Sequence, residues 1–395
     1  MIKNKTMQDG WRVVSFGKVV SNVKMTTKDP ATAGLDRVVG LDHLDPDSLS
    51  IRRWDLLKDL ADGTSFTRTF KAGQVLFGKR RAYQRKVSVP DFDGVCSGDI
   101  LVFESLDPGL LPEFLPYIVQ SDGFFRHALG TSAGSLSPRT KWQELAKYEF
   151  VLPPLDEQKR IVEVIAAADR LRSSYSNSAM AASDYWLALS REHLVTDKHV
   201  PLETVAEVEL GKKRDPKLLI YGKPTPYLRA ANVKFGQFEL GDVLQMNFTD
   251  DEIARFALED GDVLVTEGCG SIGEVGACAT WHKSTLEAVC FQMTLLRLRA
   301  RDPGAARLLH HWSAYSFKSG KFADVSSGTS VYHLSAARVR KMAFPVLEKQ
   351  QREVGVALLD SAQKLEQAAR AALHEASRLA GRLRESLLTG AVDVH

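Results

Sequence analysis

GSLSPRTKWQELAKYEFVLPPLDEQKR, residues 134–160, and GTSVYHLSAARVRKMAFPVLEKQQR, residues 328–352, carry one pattern twice. Each passes from a glycine-serine element through a short amphipathic run to a proline and then opens a long helical pattern. Upstream, further segments pair in the same order. LDRVVGL (35–41) lies opposite YLRAANV (227–233), with Arg37 over Arg229. KAGQVLF (71–77) matches EDGDVLV (259–265), and VCSGDILVF (95–103) matches VCFQMTLLR (289–297). Matches in one order, at an offset that stays near about 190 residues, indicate a duplicated unit.

Within each repeat, short alternating apolar runs punctuated by Gly, Pro, Asp and Asn read as strands and loops. The helical patterns that follow have seven-residue spacing. In the first, Ile161, Ala168, Tyr175, Ala182 and Leu189 recur, flanked by Ile165, Ala179 and Trp186. In the second, Leu358, Leu365, Ala372 and Leu379 recur, with Ala362, Ala369, Ala376 and Leu383 four residues on. Such spacing without an internal proline marks a coiled coil. Helices of roughly 37 to 42 residues would be about 55 to 60 Å long, and neither could bury its stripe alone. The expected fold is α+β: two repeated mixed α/β domains, residues 1–153 and 199–346, separated by long helices within 154–198 and 347–395, the helices packed as an antiparallel coiled coil.

Composition bounds the function. The chain has 395 residues, 44% hydrophobic and 26% charged, which is ordinary for a globular protein. No run of apolar residues is long enough for a membrane span and the N-terminus lacks an apolar signal core, so a cytoplasmic protein with no membrane partner is expected. Cys96, Cys269, Cys278 and Cys290 never approach metal or redox spacing and read as buried small hydrophobes. The net charge is only +3. The helical segments nearly balance, with six acidic against five basic residues in 156–192 and six against seven in 348–390, so the basic excess belongs to the domains.

The ordered motifs resemble the DNA-specificity (S) subunit of type I restriction-modification systems across essentially the whole chain. They are GW-x-VV-x-FG near Gly10, FGKRRAYQRKVSVPDFDGVCS, TPYLRAANV, the GT/GS-x-x-x-x-LS element, LPPLDEQKRI and a final ESLLTG. The resemblance implies two target-recognition domains, each reading half of a bipartite site in double-stranded DNA. It also implies docking of two methyltransferase (M) subunits on the long helices, and restriction (R) motor-nuclease subunits in the full complex. Catalysis would lie in those partners. Docking residues carried over from LPPLDEQKR are Glu157, Gln158 and Arg160. In the second repeat the pattern is reduced to PVLEKQQ, leaving Gln350 and Arg352.

Phosphates attract flexible cations and base edges need paired donors, so Arg and Lys clusters among Gly, Asn and Tyr are the candidate DNA contacts. GKRRAYQRK (78–86) supplies Lys79, Arg80, Arg81, Arg85 and Lys86 around Tyr83. The second repeat supplies Lys212, Lys213 and Arg214 from GKKRDPK, then Arg229 and Asn232, whose chemistry suits guanine and adenine. Arg229 aligns with Arg37, so bracing a shared scaffold is an equal alternative. The elements at 134–137 and 328–330 could serve phosphates or cap a helix.

GCGSIG, residues 268–273, offers an enzyme reading: an NAD- or SAM-dependent fold with a glycine cofactor loop. That fingerprint needs a helix opening at the loop and an acid ending the next strand. Residues 274–281 instead read as a strand, and Glu287 precedes the strand it should end. The expectation is therefore no cofactor, with Ser271 in a loop of the second recognition domain at the place GKRRAYQRK holds in the first. GQVLFGK (73–79) has phosphate-loop spacing, but Arg80 stands where Ser or Thr must hold magnesium. Asp215-Pro216-Lys217 has no partner acid, His310 and His311 are expected on different helix faces, and no NPPY-like tetrapeptide exists. No catalytic or metal residues are expected.

Overall fold

The structure of the chain, a computed structural model, describes residues 10–61, 63–134, 137–213, 222–282 and 288–389. They form two compact units, 10–175 with 372–389, and the described part of 176–371. Both long helices are present, Leu155–Leu194 and Lys349–Leu388, 40 residues each. The unit boundary falls inside both, so each unit contains a portion of each helix.

In the first unit Arg12–Ser15 pairs antiparallel with Glu149–Leu152, placing the opening strand beside the strand that precedes the first long helix. A four-stranded antiparallel sheet has the spatial order Val20–Val23, Ile100–Ser105, Val75–Gly78, Val87–Ser88. A second sheet orders Asp55–Leu56, Arg37–Val39, Gly94–Cys96, Arg68–Phe70, with Arg37–Val39 parallel to Gly94–Cys96. Successive strand residues point to opposite faces, and here both faces are covered. Val75, Phe77, Leu101 and Phe103 enter a core with Phe16, Phe124 and Phe125. Leu76, Ile100 and Val102 enter another with Val39, Phe70 and Cys96. Two buried faces explain why Val75–Phe77 and Ile100–Phe103 are continuous apolar runs where alternating ones were expected.

The second unit repeats this plan. His199–Pro201 pairs with Ala343–Pro345. Ala206–Leu210, Leu295–Ala300, Val263–Thr266 and Cys278–Thr280 reproduce the four-stranded order. Leu244–Phe248, Lys223–Leu228 and Cys290–Phe291 reproduce the second sheet's mixed pairing. Val263 and Val265 face one core and Leu264 the other, as in the first unit.

Strand pairing corrects two details of the sequence match. Val39 and Leu228 occupy the same position, each beside the parallel strand and each accepting from the residue that follows that strand, Ser97 or Gln292. Arg229 is therefore the counterpart of Gly40, not of Arg37. Likewise Val95 corresponds to Cys290 rather than Val289, one residue along. The loop between the parallel partners differs in length, and similarity in a short apolar run does not register such a change.

The long helices run antiparallel within each unit. In the first, Ile161 and Ile165 share a core with Leu387, and Arg384 Nη2 donates to Asp169 at 3.0 Å. In the second, Trp186 shares a core with Leu359 and Ala362. The seam on the second helix is displaced from the expected leucine stripe. Leu359, Ala362, Glu366, Ala380 and Leu387 are buried, whereas Leu358, Leu365 and Leu379 are exposed. One residue is about 100° around a helix, and alanine on the buried side permits close backbone approach. The leucines at 358, 365 and 379 are left outside it.

Cys96, Cys278 and Cys290 are buried, and burial pushes each thiol up to about 12. His310 and His311 do not diverge as expected. Both reach the second long helix, His310 Nε2 to Gln363 at 2.8 Å and His311 Nε2 to Asp360 at 2.7 Å, because neighbours about 100° apart can straddle one contacting helix. Burial and the neighbouring His310 lower His311 to about 4, and burial also lowers His310. Burial acts to raise Asp360, but hydrogen bonds from His311 and Arg307 bring it below its ordinary value. A histidine depressed in the fold favours the folded state fully above its unfolded pKa near 6.5, and loses that contribution as pH falls through about 4. The thermal midpoint should therefore fall as pH is lowered across this window, with a shallower fall in His311→Gln, read by calorimetry at matched ionic strength.

Candidate nucleic-acid interface

The loop after the central strand meets the glycine-serine loop in both units. In the first, Arg80 and Ala133 each form a bridge with Arg139. The Thr140 N–H donates to the Lys79 carbonyl at 3.1 Å, and the Lys79 N–H to the Asp99 carbonyl at 2.9 Å. In the second, Gly268 pairs with His333, and Ser327 forms a bridge with His333. The Leu334 N–H donates to the Glu267 carbonyl at 2.7 Å, and the Glu267 N–H to the Thr294 carbonyl at 2.9 Å. The main-chain joint is the same, so Lys79, Arg80, Asp99 and Arg139 correspond to Glu267, Gly268, Thr294 and His333.

Its side chains differ. Around the first joint, Arg139 grips Asp99 through Nε at 2.8 Å and Nη2 at 3.1 Å, and Arg80 Nη1 lies 3.7 Å from the same carboxylate. Hydrogen bonding from Arg139 holds Asp99 below the usual carboxylate range, while burial lowers the Lys79 ammonium against the pull of Asp99. Ser137 Oγ accepts from Arg80 at 3.1 Å and from Arg81 at 3.3 Å. Arg81 and Arg85 have φ of 54° and 52°, in the left-handed region that costs a side-chain-bearing residue energy, and they bracket a short 3₁₀ turn at Ala82–Gln84. Tyr83 is exposed at its tip.

Not every cation in GKRRAYQRK is available. Arg85 donates to Asp47 at 2.6 Å and to the Gln120 carbonyl at 3.0 Å, pairs with Asp122 at 2.9 Å and lies over the Phe125 ring. Lys86 Nζ donates to the Leu41 carbonyl at 2.6 Å. These two anchor the loop, while Lys79, Arg80 and Arg81 gather at the joint. Arg139 and Asp99 were not singled out in the sequence, because each is an isolated charge there and only pairing across the joint brings them together.

The second unit sorts in the same way. Lys212 Nζ donates to the Asn247 carbonyl at 2.8 Å and to Glu252, over the Phe248 ring, and is held inside the fold. Lys213 is exposed, and Arg214 lies outside the described residues. Arg229 pairs with Asp242. Asn232 is buried: its Oδ1 accepts from the Arg229 N–H at 3.1 Å, and its Nδ2 donates to the Glu239 and Asp242 carbonyls at 2.9 and 3.0 Å. His43 does the same work in the first unit, where its Nδ1 accepts from the Gly40 N–H at 3.0 Å. Arg37 lies over the rings of Trp54 and Phe92.

Within GCGSIG, Gly268–Cys269 pairs with Tyr332–His333, and residues 270–274 form an exposed turn carrying Ser271 and Ile272. The next element is the strand Cys278–Thr280, shorter than expected, and no helix opens at the glycines to face a pyrophosphate. Glu287 lies outside the described residues. At the joint itself His333 Nδ1 lies 3.2 Å from Glu267. Ser335 caps the helix Ala336–Arg340 through the Arg338 N–H at 3.3 Å, whereas residues 328–330 are exposed. Among the described residues no group of three or more His, Cys, Asp or Glu could hold a metal ion, and no helix is long and apolar enough to cross a membrane.

Of the docking candidates, Glu157 and Arg160 pair at 3.7 Å with Arg160 exposed, Gln350 is exposed, and Arg352 lies 3.8 Å from Asp302. Gln158 is fully buried. Its Oε1 accepts from the Leu111 N–H at 2.8 Å, and its Nε2 donates to the Gly109 and Pro153 carbonyls at 2.7 and 2.8 Å. Gln158→Leu leaves three main-chain groups unpaired and should destabilise the protein by about 1–3 kcal/mol, measured by urea denaturation. A stable variant that lost only partner binding would place Gln158 in docking instead.

No family model matches the sequence. Two curated relatives are similar in part. The Escherichia coli type I restriction enzyme EcoDI specificity subunit is 29% identical over 124 residues, 30% of this chain and 27% of its own length. The EcoKI specificity subunit of E. coli strain K12 is 24% identical over 228 residues, 53% of this chain and 47% of its own length. The matches thus span less than half of each relative. Two solved structures cover the chain almost completely. One, a chain from work on complex assembly and conformational transition of the type I R-M system, has a TM-score of 0.60 at 19% identity, with 98% of this chain and 100% of that one covered. The other is the type I restriction-modification S subunit from M. genitalium, with a TM-score of 0.54 at 12% identity and 100% and 99% covered. The chain has the fold of type I specificity subunits and is similar in sequence to two of them.

Proposed function

We propose that the chain is the specificity subunit of a type I restriction-modification complex, acting in the cytoplasm. It reads a bipartite target in double-stranded DNA, one half-site per recognition domain, with domains at 1–153 and 199–346 and the helical segments 154–198 and 347–395 as spacers. It carries no catalytic group of its own. Two methyltransferase subunits dock on the helical segments, where Arg160, Gln350 and the stripe of Leu358, Leu365 and Leu379 are exposed and Glu157 and Arg352 are half-buried. Restriction subunits join the full complex.

The observation that carries this reading is the main-chain joint made twice with different side chains, cationic in one unit and Glu267 with His333 in the other. Two copies of one scaffold presenting different chemistry suit two different half-sites. Lys79, Arg80, Arg81 and Tyr83 are the first unit's contacts, with Arg85 and Lys86 holding their loop. Lys213, Arg214, Arg229 and Ser271 are the second unit's, while Lys212 and Asn232 are held within the fold. Against the cofactor-loop alternative, no helix opens within the described residues 268–282.

The decisive experiment maps adenine methylation in DNA from cells expressing the chain with its partner methyltransferase subunit. A two-part motif with a fixed gap is expected; unmodified DNA or a continuous motif would refute the proposal. Arg80→Ala with Arg81→Ala should relax one half of that motif and leave the other unchanged, with loss of roughly 1–3 kcal/mol of discrimination at the affected base pairs. Equal loss in both halves by a folded variant would assign the two arginines a nonspecific electrostatic role.

A further inference from the structure

Asp99 stands in the turn before Ile100–Ser105, at the place where cations of the first joint converge. Its side chain is 20% exposed, less than Arg80 at 39% and Arg139 at 48%. A carboxylate on a face that meets a polyanion repels phosphate, so its presence needs a physical reason. The main-chain joint does not require it. Thr294 occupies the same position in the second unit, where the Glu267 N–H donates to the Thr294 carbonyl as the Lys79 N–H does to that of Asp99. The joint therefore forms without the acid.

The geometry points to a different role: we propose that Asp99 is a positioning residue for DNA reading by the first unit, fixing Arg80 and Arg139, and that Arg139 is a further base-reading residue. The inference rests on the reading of the chain as a DNA-specificity subunit. A free arginine samples many rotamers, and ordering it on binding costs free energy. Gripped by Nε and Nη2, the Arg139 guanidinium has a set plane, and two of its five donors suffice for the grip. The remaining donors suit the paired acceptors on the major-groove edge of guanine. Ser137 fixes Arg80 from the other side.

The two roles differ in sign. A carboxylate that acts only as a charge weakens binding to every sequence, so its removal strengthens binding and leaves preference alone. A positioning carboxylate gives up preference when removed, while affinity for arbitrary DNA holds or rises. The test is Asp99→Asn in the full-length chain, expressed with its methyltransferase partner. It reads the methylated motif in genomic DNA, the affinity of the purified chain for a random-sequence duplex, and the thermal midpoint. Expected are a loss of preference of roughly tenfold or more at one or two base pairs of a single half-site, undiminished affinity for the random duplex, and an unchanged midpoint. Asp99→Glu should restore part of the preference, and Arg139→Ala should relax the same base pairs as Asp99→Asn. An unaltered motif would overturn the proposal, as would degeneracy in both halves with a lowered midpoint, which is a folding defect. Absence of a two-part motif with the unsubstituted chain would instead overturn the underlying functional reading.

Discussion

Each unit depends on two central strands that are covered on both faces. When Val75–Gly78 lies against Ile100–Ser105 with cores on either side, the pairing Val75↔Phe103 cannot slip by one residue without turning every side chain to the wrong core. The pairing Val263↔Leu298 is fixed in the same way. Fixed register sets where the next residue leaves the sheet, and that residue is Lys79 in one unit and Glu267 in the other. The start of the candidate interface is thus placed by apolar burial beneath it, and Arg85 and Lys86 then tie its loop down.

Much of this was legible in the sequence because burial and periodicity are strong signals. The duplicated order, the proline-bounded strand before each long helix and the uninterrupted helices all follow from where apolar residues recur. The helix seam was harder. A leucine stripe at 358, 365 and 379 reads as the buried face by hydrophobicity, yet the helix buries Leu359, Ala362, Glu366, Ala380 and Leu387, a face that mixes large and small side chains. The equivalence of Arg229 with Gly40 was hidden for another reason. Only hydrogen-bonded register reveals it, and a short apolar run aligns almost as well three residues away.

The site was legible as a cluster and illegible as an arrangement. GKRRAYQRK announces cations, but not that Arg85 and Lys86 face inward to the Gln120 and Leu41 carbonyls. Asn232 has the chemistry to read adenine, and the fold uses all of that chemistry to hold a turn. Arg139 and Asp99 are 40 residues apart in sequence and become partners only through the joint. Residue type sets what a side chain can do, and tertiary neighbours set how much of that capacity is left over.

The core of the first unit has an unusual composition in time. Ile161 and Ile165 pack with Leu387, and Asp169 waits for Arg384, so part of that core lies more than two hundred residues downstream in the order of synthesis. The second unit draws on one continuous stretch, 176–371. A chain emerging from the ribosome therefore completes its second unit before the first can close. Until the last turns of the second long helix arrive, Phe16, Phe77 and Phe124 share a core that lacks one wall. The first unit thus closes after the second, on the most recently made residues of its own core.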